Sequence, residues 1–423
     1  MKTLNIGLCG SGNVGLSFID VVHSNREKIL KKYGIELNIP VIGVRKGKIE
    51  NKDFVGEIEK DILKVPFRDD VDVIVELIGG TDVSFELAMN ALKNNKHFVT
   101  ANKALMATKG KALYLEASKR NLHIGLEASV AGGIPIIRTL RDGLISNDVN
   151  WFAGILNGTS NFIFSKMKSE KKSFSDSLKL AQELGFAESD PSFDINGTDA
   201  AQKTSILSTI SFAADINTSD VYFEGIEHID SQDMEYGEQL GFTLKPISIG
   251  RSSSSGISMG SFPAFIKKDE ILASINNESN VVEINTKNLN STAFSGPGAG
   301  GYPTACSVLN DVIDIGQGKI FDYSKLLKKQ NILDFDSYIS LRYLKIMIKD
   351  EMGAVADVSA LIARKKLSID NLIQKDQDKD NELVPLVIVL GASQEKIVQE
   401  LIEDLSKLPI VEGNVKHIRI FSP

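Results

Sequence analysis

The feature that most constrains the fold is a glycine-rich turn directly after the first apolar segment. The stretch "LNIGLCGSGNVGLSFIDVV" reads as a short strand followed by a helix, and Gly10, Gly12 and Gly15 between them have the spacing G-x-G-x-x-G. In a βαβ unit such glycines allow a tight turn, close approach of a pyrophosphate and close helix packing, and the helix N-terminus holds the phosphates. The pattern predicts a dinucleotide site, although by itself it also fits a turn without a ligand.

Strand-like and helix-like segments alternate through the first third of the chain. The apolar runs are "IPVIGV", "VDVIVELIGG", "HFVTANKAL" and "HIGLEAS", and helical patterns such as "VSFELAMNALKNN" lie between them. This alternation predicts an α/β fold with a Rossmann-type doubly wound parallel sheet, whose ligands bind outside the carboxyl ends of the strands. The glycine turn, "GVRKGK" and "TANK" fall at those ends.

The end of the second strand bears on the choice of cofactor. An acid at this place binds the ribose hydroxyl of NAD, whereas this chain has Arg45, followed by Lys46. A guanidinium group attracts the 2′-phosphate of NADP. We therefore expect NADP. Because the acidic residues Glu50 and Asp53 follow soon after, we leave the use of NAD open.

Composition limits the partners and the compartment. The 423 residues carry 48 basic and 55 acidic side chains, a net charge of −7, which argues against nucleic acid as a partner and favours small molecules. The sequence has no apolar stretch of membrane-spanning length and no separate signal segment, so we expect a cytoplasmic protein without a membrane partner. Cys9 and Cys306 cannot form a disulfide framework, and neither has a C-x-x-C partner.

A pair of charges on an apolar helix face marks a candidate catalytic site. In "AESDPSFDINGTDAAQKTSIL", with Thr198 as the cap of a helix, Asp199 and Lys203 lie four residues apart and share a face. That face continues through Ile206 and Ile210, while the serine and threonine side chains fall opposite. Charges on an apolar face must be paired and hydrogen-bonded, and such pairs concentrate in clefts that do chemistry. A solvated ion pair is the alternative.

The sequence from about residue 340 has the pattern of a compact unit. The stretches "LRYLKIMIKD", "AVADVSALIARKKL", "IDNLIQ", "LVPLVIVLG", "SQEKIVQELIEDLSKL" and "VKHIRIF" predict the order β-α-β-β-α-β, which is that of a ferredoxin-like unit. Before it, residues 220–295 contain short strand-like pieces with serine-rich breaks, among them "RSSSSG", which we interpret as a loop. A second glycine loop and a helix, "SGPGAGGYPTACSVLNDVID", follow these pieces.

Taken together, these segments resemble homoserine dehydrogenases over almost the whole chain. The matching stretches are "GLCGSGNVG", "VDVIVELIGG", "HFVTANKAL", "EASVAGGIPII", "GILNGTSNFI", "GFAESDPSFDINGTDAAQK" and "GPGAGGYPTA". Residues 340–423 resemble an ACT domain, the amino-acid-sensing module attached to many such enzymes. Two residues depart from the family's pattern: Gln202 stands where a histidine is frequent, and Met352 replaces the proline of a D-x-P-G turn.

The resemblance implies an organisation and an activity. The expected domains are an NAD(P)-binding Rossmann domain at 1–130, completed by about 300–320, an α+β substrate-binding and dimerisation domain at 131–320, and a ferredoxin-like ACT domain at 340–423. The implied reaction is the reduction of L-aspartate 4-semialdehyde to L-homoserine with NADPH or NADH, in threonine, methionine and isoleucine biosynthesis. A homodimer or homotetramer is implied as well.

Roles for individual residues also come from the resemblance. Lys203 matches the general acid that protonates the aldehyde oxygen, Asp199 holds its ammonium group and contacts the substrate, and Lys103 approaches the same oxygen. Glu188 matches the residue that binds the substrate's ammonium group, and Asp194 belongs to the same acid-rich loop.

The resemblance further implies binding residues for a cofactor and a cation. The cofactor-binding residues are Gly10, Ser11, Gly12, Asn13, Val14, Gly15, Arg45, Thr100, Lys103 and Gly301. A monovalent cation such as Na⁺ would be held by Glu127 and by the carbonyls of Val130, Gly132 and Ile134. Without the resemblance, this last segment reads as a hinge.

Two rival functions and one regulatory role stay open at this point. One rival is another Rossmann-type semialdehyde or amino-acid dehydrogenase. A semialdehyde dehydrogenase that oxidises aldehydes needs a thiolate, and neither Cys9, beneath the glycine turn, nor Cys306, in a later helix, is well placed for one. A non-catalytic sensor of nucleotide and amino acid is disfavoured by the catalytic-type residues described above. For the ACT segment the expected effector is threonine, bound near residues 350–354, with a purely assembly role as the alternative.

Overall fold

The computed structural model describes residues 2–44, 51, 54–374 and 382–422. Arg45, which we expect at the 2′-phosphate of the cofactor, lies outside the described residues, as do Lys46, Glu50 and Asp53. Within the described ranges, no helix is long and apolar enough to cross a membrane.

The N-terminal part of the chain forms the parallel sheet that the sequence predicts. Its strands are β1 Lys2–Cys9, β2 Ile35–Gly43, β3 Glu57–Glu59, β4 Val73–Glu76, β5 His97–Thr100 and β6 Ile124–Gly125. They lie in the order β3-β2-β1-β4-β5-β6, and each adjacent pair is parallel. The crossover helices are α1 Asn13–Tyr33, α2 Asp82–Lys93 and α3 Lys103–Lys119. The strand order reverses between β1 and β4, so a ligand crevice is expected at the carboxyl ends of these two strands.

The middle of the chain combines helices with strands of a second sheet. A three-residue helix, α4 Ile136–Arg138, runs into a π-type turn at Thr139–Gly143. The following strands are β7 Val149–Ile155, β8 Tyr222–Phe223, β9 Phe242–Ser253, β10 Gly256–Lys267, β11 Ser279–Thr286 and β12 Asn290–Pro297. The helices are α5 Gly158–Glu170, α6 Phe174–Glu183, α7 Ser192–Ile195, α8 Thr198–Phe212 and α9 Ser231–Gln239.

The region 220–295 differs from the sequence-based expectation. Strands β9 and β10 are each 12 residues long and pair along their whole length, so most of "RSSSSG" is strand and only Ser254 and Ser255 form the turn. The interpretation of this stretch as a loop was therefore wrong. Pairing with a neighbouring strand outweighs the weak strand preference of serine, which is a property of tertiary context and not of local composition.

Helix α10, Gly301–Gly316, brings the chain back to the parallel sheet. Its apolar residues Val308 and Val312 share one buried core with Phe18 and Val22 of α1. The N-terminus of α10 thereby lies close to the N-terminus of α1. The domain boundaries expected from the sequence stay predictions.

The C-terminal unit has the predicted order of elements. These are β13 Ile339–Lys349, α11 Ala354–Arg364, β14 Ile369–Gln374, β15 Leu383–Gln394, α12 Glu395–Leu405 and β16 Val411–Ile420. Its strands lie in the order β16-β13-β15-β14, and each adjacent pair is antiparallel.

The C-terminal unit is joined to the middle of the molecule by a shared sheet and a shared core. Strand β16 pairs in parallel with β10 through Ala264 and Arg419, which makes one mixed sheet of both parts in the described chain. Tyr343 and Ile418 lie in the same buried cluster as Phe162. Residues 339–420 therefore do not form a freely attached module.

Candidate active site

The glycine turn has the geometry that a dinucleotide site requires. Gly10 has a φ of +116°, and a Cβ there would lie 2.5 Å from the carbonyl oxygen of Leu77. A Cβ on Gly15 would lie 2.2 Å from the carbonyl oxygen of Gly10, so this glycine is needed for helix packing. A Cβ on Gly12 would meet no atom within 4 Å. The free space at Gly12 faces the start of α1, where a pyrophosphate can approach the backbone N–H groups.

The other sequence-predicted cofactor residues lie around the same turn and the crevice beside it. Ser11 and Asn13 are solvent-accessible at the turn. Val14 lines a cavity of about 320 Å³ together with Gly79, Gly80, Asn102 and Lys103. A Cβ on Gly301 would lie 2.7 Å from Asn13 Oδ1, which places the second glycine loop against the first.

Thr100 lies beneath this crevice, and its side chain is fully buried. Its hydroxyl donates a hydrogen bond to Glu76 Oε2 at 2.6 Å and accepts one from the N–H of Asn102 at 2.9 Å. Glu76, also buried, accepts N–H bonds from Ile78 and Gly79 through Oε1. This carboxylate fixes the loop after β4. Sequence reasoning missed Glu76, although its position at the end of a buried strand was a usable signal.

A cluster of charges lies at the inner end of the crevice. Asp199 Oδ2 accepts a hydrogen bond from Lys203 Nζ at 2.8 Å, and Asp199 Oδ1 pairs with Lys103 Nζ at 2.7 Å. Lys203 Nζ also donates to the carbonyl of Leu156 at 2.7 Å. Asn157 Nδ2 donates to Asp199 Oδ2 at 2.8 Å. We call Lys103, Asn157, Asp199 and Lys203 the active-site cluster.

The active-site cluster is buried at one side and open at the other. Asp199 is 0% exposed, and Lys203 is 9% exposed, whereas the side chain of Lys103 is 37% exposed and lines the cavity. The solvated ion pair considered in the sequence analysis is therefore excluded. The cluster thus extends from the nucleotide crevice, which Lys103 lines, to the buried helix α8, which carries Asp199 and Lys203.

Burial and charge act in opposite directions on the protonation of this cluster. Burial raises the pKa of Asp199, but the charges of Lys203 and Lys103 outweigh it and hold the pKa well below its usual range. Burial lowers the pKa of Lys203, and the nearby charge of Lys103 lowers it further, against the attraction of Asp199. For the more exposed Lys103, burial is outweighed by Asp199, and its pKa is raised. Lys203 is thus the ammonium group that loses its proton more readily.

Asn157 is the second residue that sequence reasoning missed, because an asparagine directly after a strand also fits a simple turn. Its side chain donates to Asp194 Oδ1 as well as to Asp199, each at 2.8 Å, and caps α5 through the N–H of Ser160. Burial, followed by the charge of Asp199, raises the pKa of Asp194. One amide therefore holds the carboxylates of Asp194 and Asp199 side by side.

Helix α8 differs in two respects from its sequence-based description. Its N-cap is Gly197, with a φ of +89°, so Thr198 is the first helical residue and not the cap. The helix is also buried on the side of its hydroxyl groups, because α3 and strands β9 and β10 pack around it. Thr204 and Ser205 satisfy their hydroxyls by donating to backbone carbonyls of the same helix, whereas the buried hydroxyls of Ser208 and Ser211 have no hydrogen-bond partner in the described part of the chain.

Glu188 lies on the loop before α7, and its side chain is exposed. Its carbonyl accepts a hydrogen bond from Gln182 Nε2 at 3.1 Å. The carboxylate is near enough to the cluster for its charge to add to those that raise the pKa of Lys103, of which Asp199 is the strongest. Glu188 is thus located on the solvent side of the site.

The segment expected to bind a cation forms a tight loop against α10. Both carboxylate oxygens of Glu127 accept backbone N–H bonds, from Ile137 at 2.9 Å and from Arg138 at 2.8 Å. The carbonyl of Gly132 accepts a hydrogen bond from Ser307 Oγ at 2.7 Å, and the carbonyl of Ile134 accepts one from the N–H of Ile136 at 2.8 Å. Val130 is fully buried in the same loop.

A second buried carboxyl group lies next to Glu127. Asp311 Oδ2 accepts the N–H of Glu127 at 2.9 Å. Burial raises the pKa of both carboxyl groups, and each disfavours the ionisation of the other.

The cysteines do not offer the thiolate that an aldehyde-oxidising mechanism needs. Cys9 is fully buried, and burial raises the pKa of its thiol well above the usual range. Cys306 is exposed in α10, on a different element from each member of the active-site cluster. This geometry disfavours the semialdehyde dehydrogenase considered above.

Comparisons with known proteins agree on one family. The sequence model described as "Homoserine dehydrogenase" matches residues 135–313, and that described as "Homoserine dehydrogenase, NAD binding domain" matches residues 10–127. The chain is 38% identical to the homoserine dehydrogenase of Neisseria gonorrhoeae and covers 99% of that protein, with 100% of this chain aligned. Identity to the Pseudomonas aeruginosa enzyme is 36%, with 99% of each chain aligned.

Solved structures lead to the same family. A homoserine dehydrogenase from Thiobacillus denitrificans aligns with 100% of this chain and 99% of its own, with a TM-score of 0.94 and 34% identity. A hyperthermophilic archaeal homoserine dehydrogenase in complex with NADPH aligns with 74% of this chain and 97% of its own, with a TM-score of 0.63 and 25% identity. The chain therefore belongs to the homoserine dehydrogenase family, oxidoreductases that use a nicotinamide cofactor and act in amino-acid biosynthesis.

Proposed function

We propose that Lys203 is the general acid in the reduction of L-aspartate 4-semialdehyde to L-homoserine. The observation that carries this proposal is the buried ion pair of Lys203 with Asp199 at the inner end of the nucleotide crevice. The nicotinamide cofactor, when bound, supplies the hydride. Lys203 then gives a proton to the aldehyde oxygen as negative charge develops there, and its own positive charge stabilises that oxygen before transfer.

Asp199 and Lys103 have supporting roles in this proposal. Asp199 stays ionised because two ammonium groups face it, so it holds Lys203 in place. Lys103 bonds the other oxygen of Asp199 and lines the cavity, where it can contact the same substrate oxygen and the nicotinamide end of the cofactor.

The acid-rich loop supports a role in binding the amino-acid end of the substrate. Glu188 is solvent-accessible and would bind the substrate's ammonium group, and Asp194 follows in the same acid-rich segment. Asn157 fixes Asp194 relative to Asp199. The same loop would therefore fix the distance between the ammonium group of the substrate and its reacting carbon.

For the cofactor we propose NADP as the preferred form, with NAD as the alternative. The open space at Gly12 fits the pyrophosphate, and Gly301 lies against the same turn. Arg45 would bind the 2′-phosphate. Replacement of Arg45 by Glu should raise the KM for NADPH far more than that for NADH, and equal changes would contradict this role.

We also propose a monovalent cation such as Na⁺ at Glu127, Val130, Gly132 and Ile134. An all-oxygen set suits a hard cation, and the buried carboxylate of Asp311, which accepts the N–H of Glu127, lies beside the proposed site. Because the carboxylate of Glu127 already accepts two N–H bonds, its carbonyl is the more available ligand. A lack of any dependence of activity on Na⁺ or K⁺ in Tris buffer would contradict the proposal.

Threonine is the effector that we propose for the C-terminal unit, in its role as an ACT domain. The loop at residues 350–353 is exposed, and it precedes the N-terminus of α11, where backbone N–H groups can receive a carboxylate. Truncation near residue 338 would uncover the core shared through Tyr343 and Ile418. The test is therefore Gly353→Val in the full chain, with threonine inhibition measured and Lys407→Ala as the surface control.

The central experiment is an assay of NADPH oxidation with L-aspartate 4-semialdehyde. The full chain should turn over, and Lys203→Ala should lose most turnover while still quenching or shifting NADPH fluorescence on binding. Retention of near wild-type turnover by Lys203→Ala would contradict the assignment of the general acid. We expect a homodimer or homotetramer, which sedimentation of the same preparation would test.

A further inference from the structure

A second buried group of charges lies where the C-terminal strands meet the middle of the molecule. We call Glu224, Arg342, Glu395 and Arg419 the C-terminal cluster. Arg419 Nη2 donates to Glu395 Oε1 at 2.7 Å, Arg342 pairs with the other oxygen of Glu395, and Arg419 Nη1 pairs with Glu224. Arg342 is 0% exposed and Arg419 is 1% exposed. The cluster therefore ties β13 and β16 to the segment that follows β8.

Aromatic rings hold the guanidinium group of Arg419 in a fixed position. Its central carbon lies 4.8 Å from the ring centre of Tyr222, 4.6 Å from that of Phe262 and 5.2 Å from that of Phe335. The hydroxyl of Tyr222 accepts from Arg419 Nη2 at 2.9 Å and donates to Glu224 Oε2 at 3.0 Å. Arg419 is thus enclosed on several sides, and the carboxylate of Glu224 is held with it.

The backbone at Glu224 lies directly against the acid-rich loop of the active site. The N–H of Ile226 donates to the carbonyl of Ile195 at 2.9 Å. A Cβ on Gly197 would lie 2.9 Å from the carbonyl oxygen of Glu224. Ile195 and Gly197 stand between Asp194 and Asp199 in the sequence. A shift of residues 224–226 must therefore move the segment that joins these two carboxylates.

We propose that Glu224 is a positioning residue for the amino-acid substrate, acting through its ion pair with Arg419. The pair fixes residues 224–226, and these fix the segment between Asp194 and Asp199; the inference rests on the proposed roles of those two carboxylates. The nucleotide crevice is built by other elements, α1, β4 and β5, so its affinity should not depend on Glu224. Catalysis is sensitive to small misplacement, about a hundredfold for 1 Å.

The experiment compares KM values for the two substrates in Glu224→Gln and Arg419→Met. We expect the KM for L-homoserine to rise about tenfold in each variant, less than the roughly hundredfold loss that a 1 Å misplacement causes, while the KM for the nicotinamide cofactor stays within about twofold. A merely structural role would lower the fraction of folded enzyme, which reduces turnover per mole and leaves KM unchanged. Glu224→Asp keeps the charge and should restore most of the affinity for L-homoserine.

A matched control comes from another buried ion group at the same junction. Lys345 is 5% exposed and pairs with Asp230 at 3.1 Å and Asp233 at 2.8 Å, at the start of α9. Lys345→Met should lower the midpoint of thermal unfolding without changing the KM for L-homoserine. If it raises this KM as much as Glu224→Gln does, general loosening of the junction explains the effect and the positioning role is wrong.

The double variant Glu224→Gln with Arg419→Met tests whether the two residues act through each other. Its KM for L-homoserine should be no higher than that of the worse single variant, because contacting partners are not additive. If the KM for L-homoserine instead rose by the product of the two single-variant factors, the proposal would be overturned. Asp199→Asn and Lys203→Ala, measured alongside, separate the two hypotheses. If they keep wild-type turnover, the proposed function fails; if they lose it while Glu224→Gln keeps the wild-type KM, only the positioning role fails.

Discussion

The active-site cluster and the C-terminal cluster both surround a buried carboxylate with two cations, but the cations differ in kind. Asp199 has Lys103 and Lys203, whereas Glu395 has Arg342 and Arg419. A buried ammonium group can give up its proton when its pKa falls, while a guanidinium group stays charged and holds a carboxylate in a planar geometry. In the roles that we propose, burial of charge therefore serves proton transfer in the active-site cluster and fixed geometry in the C-terminal cluster.

The largest effect is expected from Lys203. Lys203→Ala should lower turnover by about 10²–10⁴-fold, the usual contribution of a positioned proton donor. Lys203→Arg sharpens the comparison, because it keeps the positive charge but does not release a proton at neutral pH. We expect it to be nearly as inactive in the NADPH oxidation assay. Substantial turnover of Lys203→Arg would show that a positive charge alone suffices for catalysis. The two clusters would then not differ in proton transfer.

The next effect concerns Glu395. Glu395→Ala leaves two buried arginines without this carboxylate and should destabilise the fold by about 3–5 kcal/mol, measured as a lower urea midpoint. Burial opposes the charge of Glu395, but Arg342 and Arg419 outweigh it and lower its pKa to about 2.

The same residue predicts a pH dependence of stability. Because the folded-state pKa of Glu395 is depressed, its stabilisation is complete above the ordinary value of about 4.3 and is lost as the pH falls toward 2. In Glu395→Gln the urea midpoint should depend less on pH over this acidic range. If the slope of the urea midpoint against pH is the same as in the wild type, the charge of Glu395 does not contribute to the stability of the fold.

A smaller effect is expected on the pH profile of catalysis. In the proposed mechanism reduction needs protonated Lys203, so its rate should be full at low pH and fall as the pH rises through a pKa below the ordinary lysine value of about 10.4. Asp199→Asn removes the anion that favours the ammonium form, and the alkaline limb should move about one pH unit lower. Lys103→Met removes a repelling charge and should move it the opposite way. If the alkaline limb moved in the same direction in both variants, the proposed effects of Asp199 and Lys103 on the pKa of Lys203 would be wrong.

The smallest effect is expected at an exposed ion pair. Arg26 and Glu36 are 2.8 Å apart, like the buried pairs, but their side chains are 52% and 26% exposed. Arg26→Ala should change stability by only about 0.2–1 kcal/mol and leave turnover unchanged. A loss as large as that of Glu395→Ala would show that burial is not what separates these ion pairs.

Local patterns in the sequence predicted the fold class and one contact of the candidate site. The glycine spacing and the alternation of elements predicted the parallel sheet, because turn geometry and hydrophobic period are properties of short segments. The i, i+4 spacing likewise predicted that Asp199 and Lys203 pair, and the structure confirms the contact. The hydrophobic periodicity of the C-terminal unit likewise predicted its β-α-β-β-α-β order.

Only the tertiary structure decided which distant groups meet. Asn157 looked like a turn residue until Asp194 and Asp199, on other elements, came within hydrogen-bond distance of its amide. The hydroxyl face of α8 is buried because two other parts of the chain cover it, which no property of the helix itself indicates. The same holds for Arg419, whose pairing with Glu224 depends on β16 joining β10. Short-range periodicity specifies elements and faces, whereas long-range packing alone selects the partners of each face.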